Sequence, residues 1–251
     1  MFYDVLAIVT AGFLSGIIKT GVGVGAGIFL LPTLCLVFPA KLALGIGAPL
    51  MLASDILGLR FYWKEWLPRP ALTKLLISVL PGLILGIILL PLIPGHIFRI
   101  CIGIFGAVYA INMIWPQCPS AVFLRRTFGN LSARHETGST YFFGFLGGVA
   151  TVLAHAGGIV WSLFLLKVAP DRRIFVGTTI ILFFITNLYK LVSYICIDIL
   201  SFDDLLMILP AIPMVFVGSF IGNVVNKKCK SDLFRKIVLF IILFLSLSLC
   251  F

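Results

Sequence analysis

Lys19, Asp55, His155 and Lys190 are ionisable residues set in apolar stretches of the chain. At mid-membrane such a charge costs roughly 2.5 to 3.5 kcal/mol even on the mildest insertion scale, so each marks a function or a specific partner. Two of them adjoin breaks in helical propensity. Lys19 precedes Gly21, Gly23, Gly25 and Gly27 within "GIIKTGVGVGAGIFLLP" (16–32), and His155 stands in "AHAGG" (154–158) beside Gly157 and Gly158. Glycine costs about 1 kcal/mol per residue against alanine in a helix, so both stretches read as interruptions. A broken helix in a bilayer leaves N–H groups unpaired, which is tolerable only inside protein or along a polar cavity. Helices restarting near Gly27 and Gly158 would aim their N-termini, each worth about +0.5 charge, at the centre. This is the chemistry of an anion site, to which Lys19 would add a full positive charge.

The same residues admit structural roles. Lys19 suits a helix C-cap or a snorkelling position, the glycines suit close helix approach, and His155 suits a hydrogen-bonded core position. Lys190 and Asp55 fall in corresponding segments of the two halves and fit either an anion or coupling site or an ion pair between the halves. Thr178, Thr179, Thr186 and Asn187 carry donors that serve a solute or neighbouring helices equally well. Of these, Thr178, Asn187 and Lys190 join Lys19, His155 and the break glycines as candidate substrate contacts, and Asp55 is the candidate coupling or gating group.

The elements that must position these groups are membrane helices. Of 251 residues 61% are hydrophobic and 11% charged, and stretches such as 75–92 and 237–251 hold no charge. A water-soluble chain of this size could not hide so many apolar faces, which implies an all-α integral membrane protein. A β-barrel would instead alternate in polarity over strands of about ten residues. The N-terminus lacks the basic start and cleavage site of a removable signal. Six scattered cysteines without C-x-x-C imply neither a zinc site nor a disulfide framework, and no cofactor is expected.

A formal charge of +10 could suggest nucleic acid, but the basic residues lie in short loops and read as orientation signals. Loop 60–74 carries Arg60, Lys64, Arg69 and Lys74 against Glu65, a net of +3, and the linker 117–139 and loop 167–173 are each net +2. Segment 226–236 is net +4, whereas 196–204 holds only Asp198, Asp203 and Asp204. With basic loops cytoplasmic, 139–168 must leave and return on one side. About 30 residues make roughly 45 Å of helix, too long for one crossing of a core about 30 Å thick and too short for two. A hairpin turning at 154–158 fits, and both chain termini fall on the outer face.

The chain also repeats itself. A shift of 132 residues lays Phe13, Leu14 and Gly16 on Phe145, Leu146 and Gly148, Gly45 on Gly177, Ser54 and Asp55 on Thr186 and Asn187, and Pro81 on Pro213. Several small, proline and polar matches in one register indicate a duplication. One hairpin and three crossings per half is an odd number, so the second half would be inverted, in keeping with the opposite charge of corresponding loops. The expected organisation is a first repeat over 1–116, a basic cytoplasmic linker over 117–139 and a second repeat over 140–251. Inverted repeats with broken elements are the usual construction of secondary transporters.

A glycine-rich break followed by an apolar run and proline, "GVGVGAGIFLLP", echoed by "AHAGGIVWSLFLL" in the second of two similar membrane halves, resembles the sulfite exporter TauE/SafE family. The resemblance covers nearly the whole chain. It implies a permease of the bacterial inner membrane for sulfite, sulfonates and related sulfur anions. The common family pattern has a denser cluster, G-x-G-G-G, where this chain has alternate glycines, and small residues where it has His155.

Three function classes follow: an alternating-access carrier for a small anion, with a coupled proton or ion as a further partner; a passive channel, which the same architecture also builds; and an intramembrane enzyme. His96, His135 and His155 form no H-E-x-x-H or comparable signature, which argues against the enzyme. With no P-loop of the form GxxxxGK[ST], energy must come from a gradient or a separate partner.

Overall fold

The structure, a computed structural model, describes residues 2–22, 25–117, 119, 136–228 and 231–250. Gly23 and most of the basic linker lie outside the described residues. The chain is helical, with no strand among the described residues: α1 (Phe2–Val22), α2 (Ala26–Cys35), α3 (Ala40–Phe61), α4 (Arg69–Leu92) and α5 (Gly95–Ile114) precede the linker. After it come α6 (Glu136–Ala154), α7 (Gly157–Val168), α8 (Arg172–Cys196), α9 (Phe202–Ile208), α10 (Ala211–Lys228) and α11 (Ser231–Ser248). Five helices are long and apolar enough to cross a membrane, or six if α9 and α10, bent by 46° at a break holding Pro210, count as one span. Leu92, Phe202, Phe220 and Phe244 stand exposed on the outside of the bundle, as lipid-facing side chains do. The protein is a multi-pass helical membrane protein.

Local sequence sets the helix starts. Pro39, Pro68 and Pro94 stand at the N-cap positions of α3, α4 and α5, where no backbone donor is lost. Asp171 caps α8 by accepting from the Ile174 N–H at 2.9 Å, and Ser201 with Asp204 forms a capping box on α9.

Packing is organised by glycine pairs four residues apart. Gly12 and Gly16 of α1 meet Val215 and Ser219 of α10, whose Gly222 in turn meets Ile17 and Thr20. Gly144 and Gly148 of α6 meet Ser78, Val79 and Gly82 of α4, whose Gly86 meets Val152. Contacts advance together along each pair, so both pairs run parallel. The α3 and α8 helices instead pair in opposite directions, Gly45 lying against Ile199 and Gly58 against Ile180. Likewise α5 and α11 run antiparallel, Gly103 facing Leu249 while Trp115 stacks edge-on to Phe240.

One expectation changes here. The breaks fall at 154–157 and just before Ala26, but the arms on either side are unequal. The preceding helices have 21 and 19 residues, about 30 Å each, and the following ones only 10 and 12, about 15 to 18 Å. The expected half-helix carrying Lys19 is thus a full-length one, because the glycines begin to break the helix only after Val22. The C-terminal run, free of charge, has two faces: Val238, Ile242 and Leu249 are buried, while Phe240, Phe244 and their neighbours point outward.

Candidate functional site

The short helices α2 and α7 begin inside the protein. Gly25, half-buried, is the N-cap residue of α2 with φ 100°, in the left-handed region that favours glycine, and no side chain caps the helix. Ala156 is the N-cap residue of α7 and likewise supplies no cap. Ser, Thr, Asp and Asn are the ordinary N-cap residues because their oxygens take the first free amides. This chain places such residues before α8 and α9, and leaves the first amides of α2 and α7 without them. Ala26, Gly27, Ile28, Gly157 and Gly158 are buried or nearly so, so these amides do not simply face bulk water.

Between the two N-termini lies a cavity of about 20 Å³, room for about one water molecule. Its walls bring together Lys19, Gly25, Gly27, His155, Gly158, Asn187 and Lys190 from the sequence-derived set, with Met51, Thr151 and Phe183 added. Lys19 donates to the Met51 carbonyl at 3.1 Å and pairs with Asp55 at 2.5 Å, the side chains being 9% and 0% exposed. Asn187 donates through Nδ2 to the other Asp55 oxygen at 2.6 Å. The Lys19 ammonium also lies 5.2 Å from the centre of the Phe183 ring, within cation–π range.

His155 has φ 49°, unusual for a residue with a side chain, and closes α6 through its own N–H to Thr151 O at 3.1 Å. Its ring fits because Gly47 has no Cβ: one built there would stand 2.6 Å from Nε2. That Nε2 lies 3.0 Å from Leu44 O. A carbonyl only accepts, so Nε2 carries the hydrogen and Nδ1 accepts from Lys190 Nζ at 2.6 Å. Lys190 also donates to Thr151 O at 3.2 Å and reaches its Oγ1 at 3.3 Å. Tyr194 ties α8 to the end of α6 by donating to Val152 O at 2.7 Å.

The buried ion pair is therefore Lys19 with Asp55, not Lys190 with Asp55 as the sequence allowed. The end of α1 delivers Lys19 to the carboxylate, while Lys190 reaches the turn after α6 and contacts neutral groups. Thr178 stands apart from the cavity, its Oγ1 accepting from the Leu67 N–H at 2.9 Å. Gly157 packs against Thr151 and Gly147 rather than lining the space, and Gly21 lies in the last turn of α1.

A second, much larger cavity of about 680 Å³ leads away from this centre. Tyr62, Asp171 and Arg173 stand toward the loops at 60–74 and 167–173, Thr20, Ser54, Thr179 and Asn223 give its walls polar groups, and Lys19 and Phe183 lie at its inner end. These last two side chains line both cavities and so form the partition between them. At the mouth, Arg173 makes a bidentate pair with Glu65 at 2.6 and 2.7 Å. Neither Phe183 nor Thr151 attracted notice in the sequence. The 132-residue register lays Lys19 on Thr151, a signal that could have singled out the threonine.

A bundle of membrane helices interrupted at a lysine-lined centre beside a wide cavity is a construction that membrane permeases share. The chain belongs to the sulfite exporter TauE/SafE family, whose family model matches residues 8–249. No curated protein and no solved structure matches it. TauE/SafE is a family of transporters rather than enzymes, and its members carry sulfur anions across membranes. Among the described residues no group of His, Cys, Asp and Glu is arranged to hold a metal ion.

Proposed function

We propose that this chain is a secondary transporter for a small sulfur oxyanion such as sulfite, thiosulfate or an organosulfonate, working in a bacterial inner membrane by alternating access. The observation that carries the reading is the convergence of two uncapped helix N-termini and two lysines on one buried cavity. The first-turn amides supply oriented donors for oxyanion oxygens. Lys19 is neutralised by Asp55, which leaves Lys190, held only by neutral partners, to face the solute's charge.

In this reading residues 1–116 and 140–251 are inverted repeats. Support comes from the pairing directions: α3 and α8, which correspond in the 132-residue register, run antiparallel, as do α5 and α11. The cross-pairs α1 with α10 and α4 with α6 are parallel and reciprocal. The large vestibule opens toward basic loops, so under the positive-inside rule it faces the cytoplasm, with both termini outside. A wide vestibule on one side of a nearly closed centre suits a carrier caught facing one way better than an open pore.

Purified protein in liposomes should take up labelled sulfite or thiosulfate with saturation, and faster when the opposite side is loaded with the same anion. Lys190→Met should lower that uptake about tenfold or more, the range for losing a charged hydrogen bond, while the protein still inserts. Flux without saturation or exchange acceleration would mark a channel, and absence of flux with any sulfur anion would refute the proposal.

A further inference from the structure

Around the central cavity the ammonium groups of Lys19 and Lys190 and the first amides of α2 and α7 donate, and the acceptors Met51 O, Thr151 O and His155 Nδ1 are already taken up by the two lysines. One further acceptor is not. Asn187 is 1% exposed and lines the cavity. Its amide orientation follows from chemistry, because the Asp55 oxygen 2.6 Å from Nδ2 is a carboxylate that accepts and does not donate. The other end of the amide, Oδ1, is buried with no hydrogen-bond partner. Among the described residues lining this cavity it is the one buried side-chain atom left unpaired. A buried carbonyl oxygen without a donor is costly, and native proteins rarely retain one without a use.

On the basis of the anion-carrier reading above, we infer that Asn187 Oδ1 accepts a hydrogen bond from the solute, and that the site selects anions carrying a hydrogen-bond donor, an O–H or N–H group, alongside their anionic oxygens. The donors of the cavity take the charged oxygens, and Asn187 takes the one group they would repel. Asp55 serves as the positioning residue that turns the amide. Hydrogen oxyanions and amino- or hydroxy-substituted sulfonates belong to this class and bind ahead of fully deprotonated oxyanions, thiosulfate among them, and of simple alkyl sulfonates. A site built around a buried acceptor discriminates strongly, since the analogue without a donor leaves that acceptor unpaired.

Sulfamate and methanesulfonate provide the test, being monoanions of nearly the same size and shape that differ in bearing an amino or a methyl group. Each is titrated as a competitor of sulfite uptake into liposomes containing the unaltered protein, and then the Asn187→Ser variant. Sulfamate should compete about tenfold more tightly than methanesulfonate, the scale of one buried acceptor left unsatisfied, and the serine variant should narrow that ratio. Equal competition by the two, or tighter competition by methanesulfonate, overturns the inference while leaving the anion carrier intact. Failure of sulfite uptake itself in the unaltered protein overturns the carrier reading and this inference with it. The ratio in the unaltered protein decides the matter even where the serine variant does not fold.

Discussion

Separating Lys19 from Asp55 should reveal how the membrane interior tolerates two charges. The pair is 2.5 Å apart with side chains 9% and 0% exposed, and Asn187 completes the carboxylate at 2.6 Å. Removing one partner of a buried pair costs about 3 to 5 kcal/mol, because the remaining charge stays where water cannot reach it. Lys19→Met leaves the carboxylate with Asn187 alone, and Asp55→Leu strands both the ammonium and the Asn187 amide. Removing both charges together relieves most of this, and the residual loss is about 1 to 3 kcal/mol for the Asn187 donor left without its acceptor. At roughly 2 to 4 °C per kcal/mol for a chain of this size, each single variant should melt roughly 6 to 20 °C below the unaltered protein. The double variant should melt higher than either single one. Thermal unfolding in detergent, followed by fluorescence-detected size exclusion, measures all four corners of the cycle. Additivity within about 0.5 kcal/mol, the behaviour of independent sites, would refute the claim that these two residues neutralise each other.

Gly16→Val should destabilise the α1 and α10 crossing by about 1 to 3 kcal/mol or more, because a Cβ there stands 2.5 Å from Val215 O and 2.9 Å from Ser219 N, both backbone atoms. Gly95→Ala, with nothing within 4 Å, should stay within about 0.5 kcal/mol of the unaltered protein; melting curves of the two variants check the contrast. Phe183→Ala removes a ring shared by the two cavities and should abolish exchange acceleration in the liposome assay while net anion leak rises. Unchanged acceleration would show that the ring does not seal the centre.

Much of the frame was legible in the residues. The glycines at 21–27 and the stretch 154–158 announced the breaks, and four of the ionisable or polar positions picked out, Lys19, His155, Asn187 and Lys190, do share one cavity. Partner choice was not legible. Which cation meets Asp55 depends on where the end of α1 falls against the middle of α3, a tertiary matter that spacing along the chain does not encode. Phe183 escaped notice for a simpler reason: one phenylalanine among 23 carries no signal until its ring is found between two spaces. The glycine pairs at 12 and 16, 82 and 86, 144 and 148, and 218 and 222 were visible as spacings, but their use at helix crossings emerged only when the opposing backbones were in place. Thr178 illustrates the converse, since a hydroxyl next to a plausible site is as readily spent on a loop amide such as that of Leu67.

The 132-residue register lays Asp55 on Asn187, and the two face each other where α3 crosses α8. A chain assembled from two copies of the first half would set acid against acid at that crossing, with like charges in contact. Two copies of the second half would set amide against amide and put threonine where Lys19 stands, so the crossing would lose both members of its ion pair. If the halves are the repeats proposed above, they have diverged into complementary roles, and neither can any longer substitute for the other.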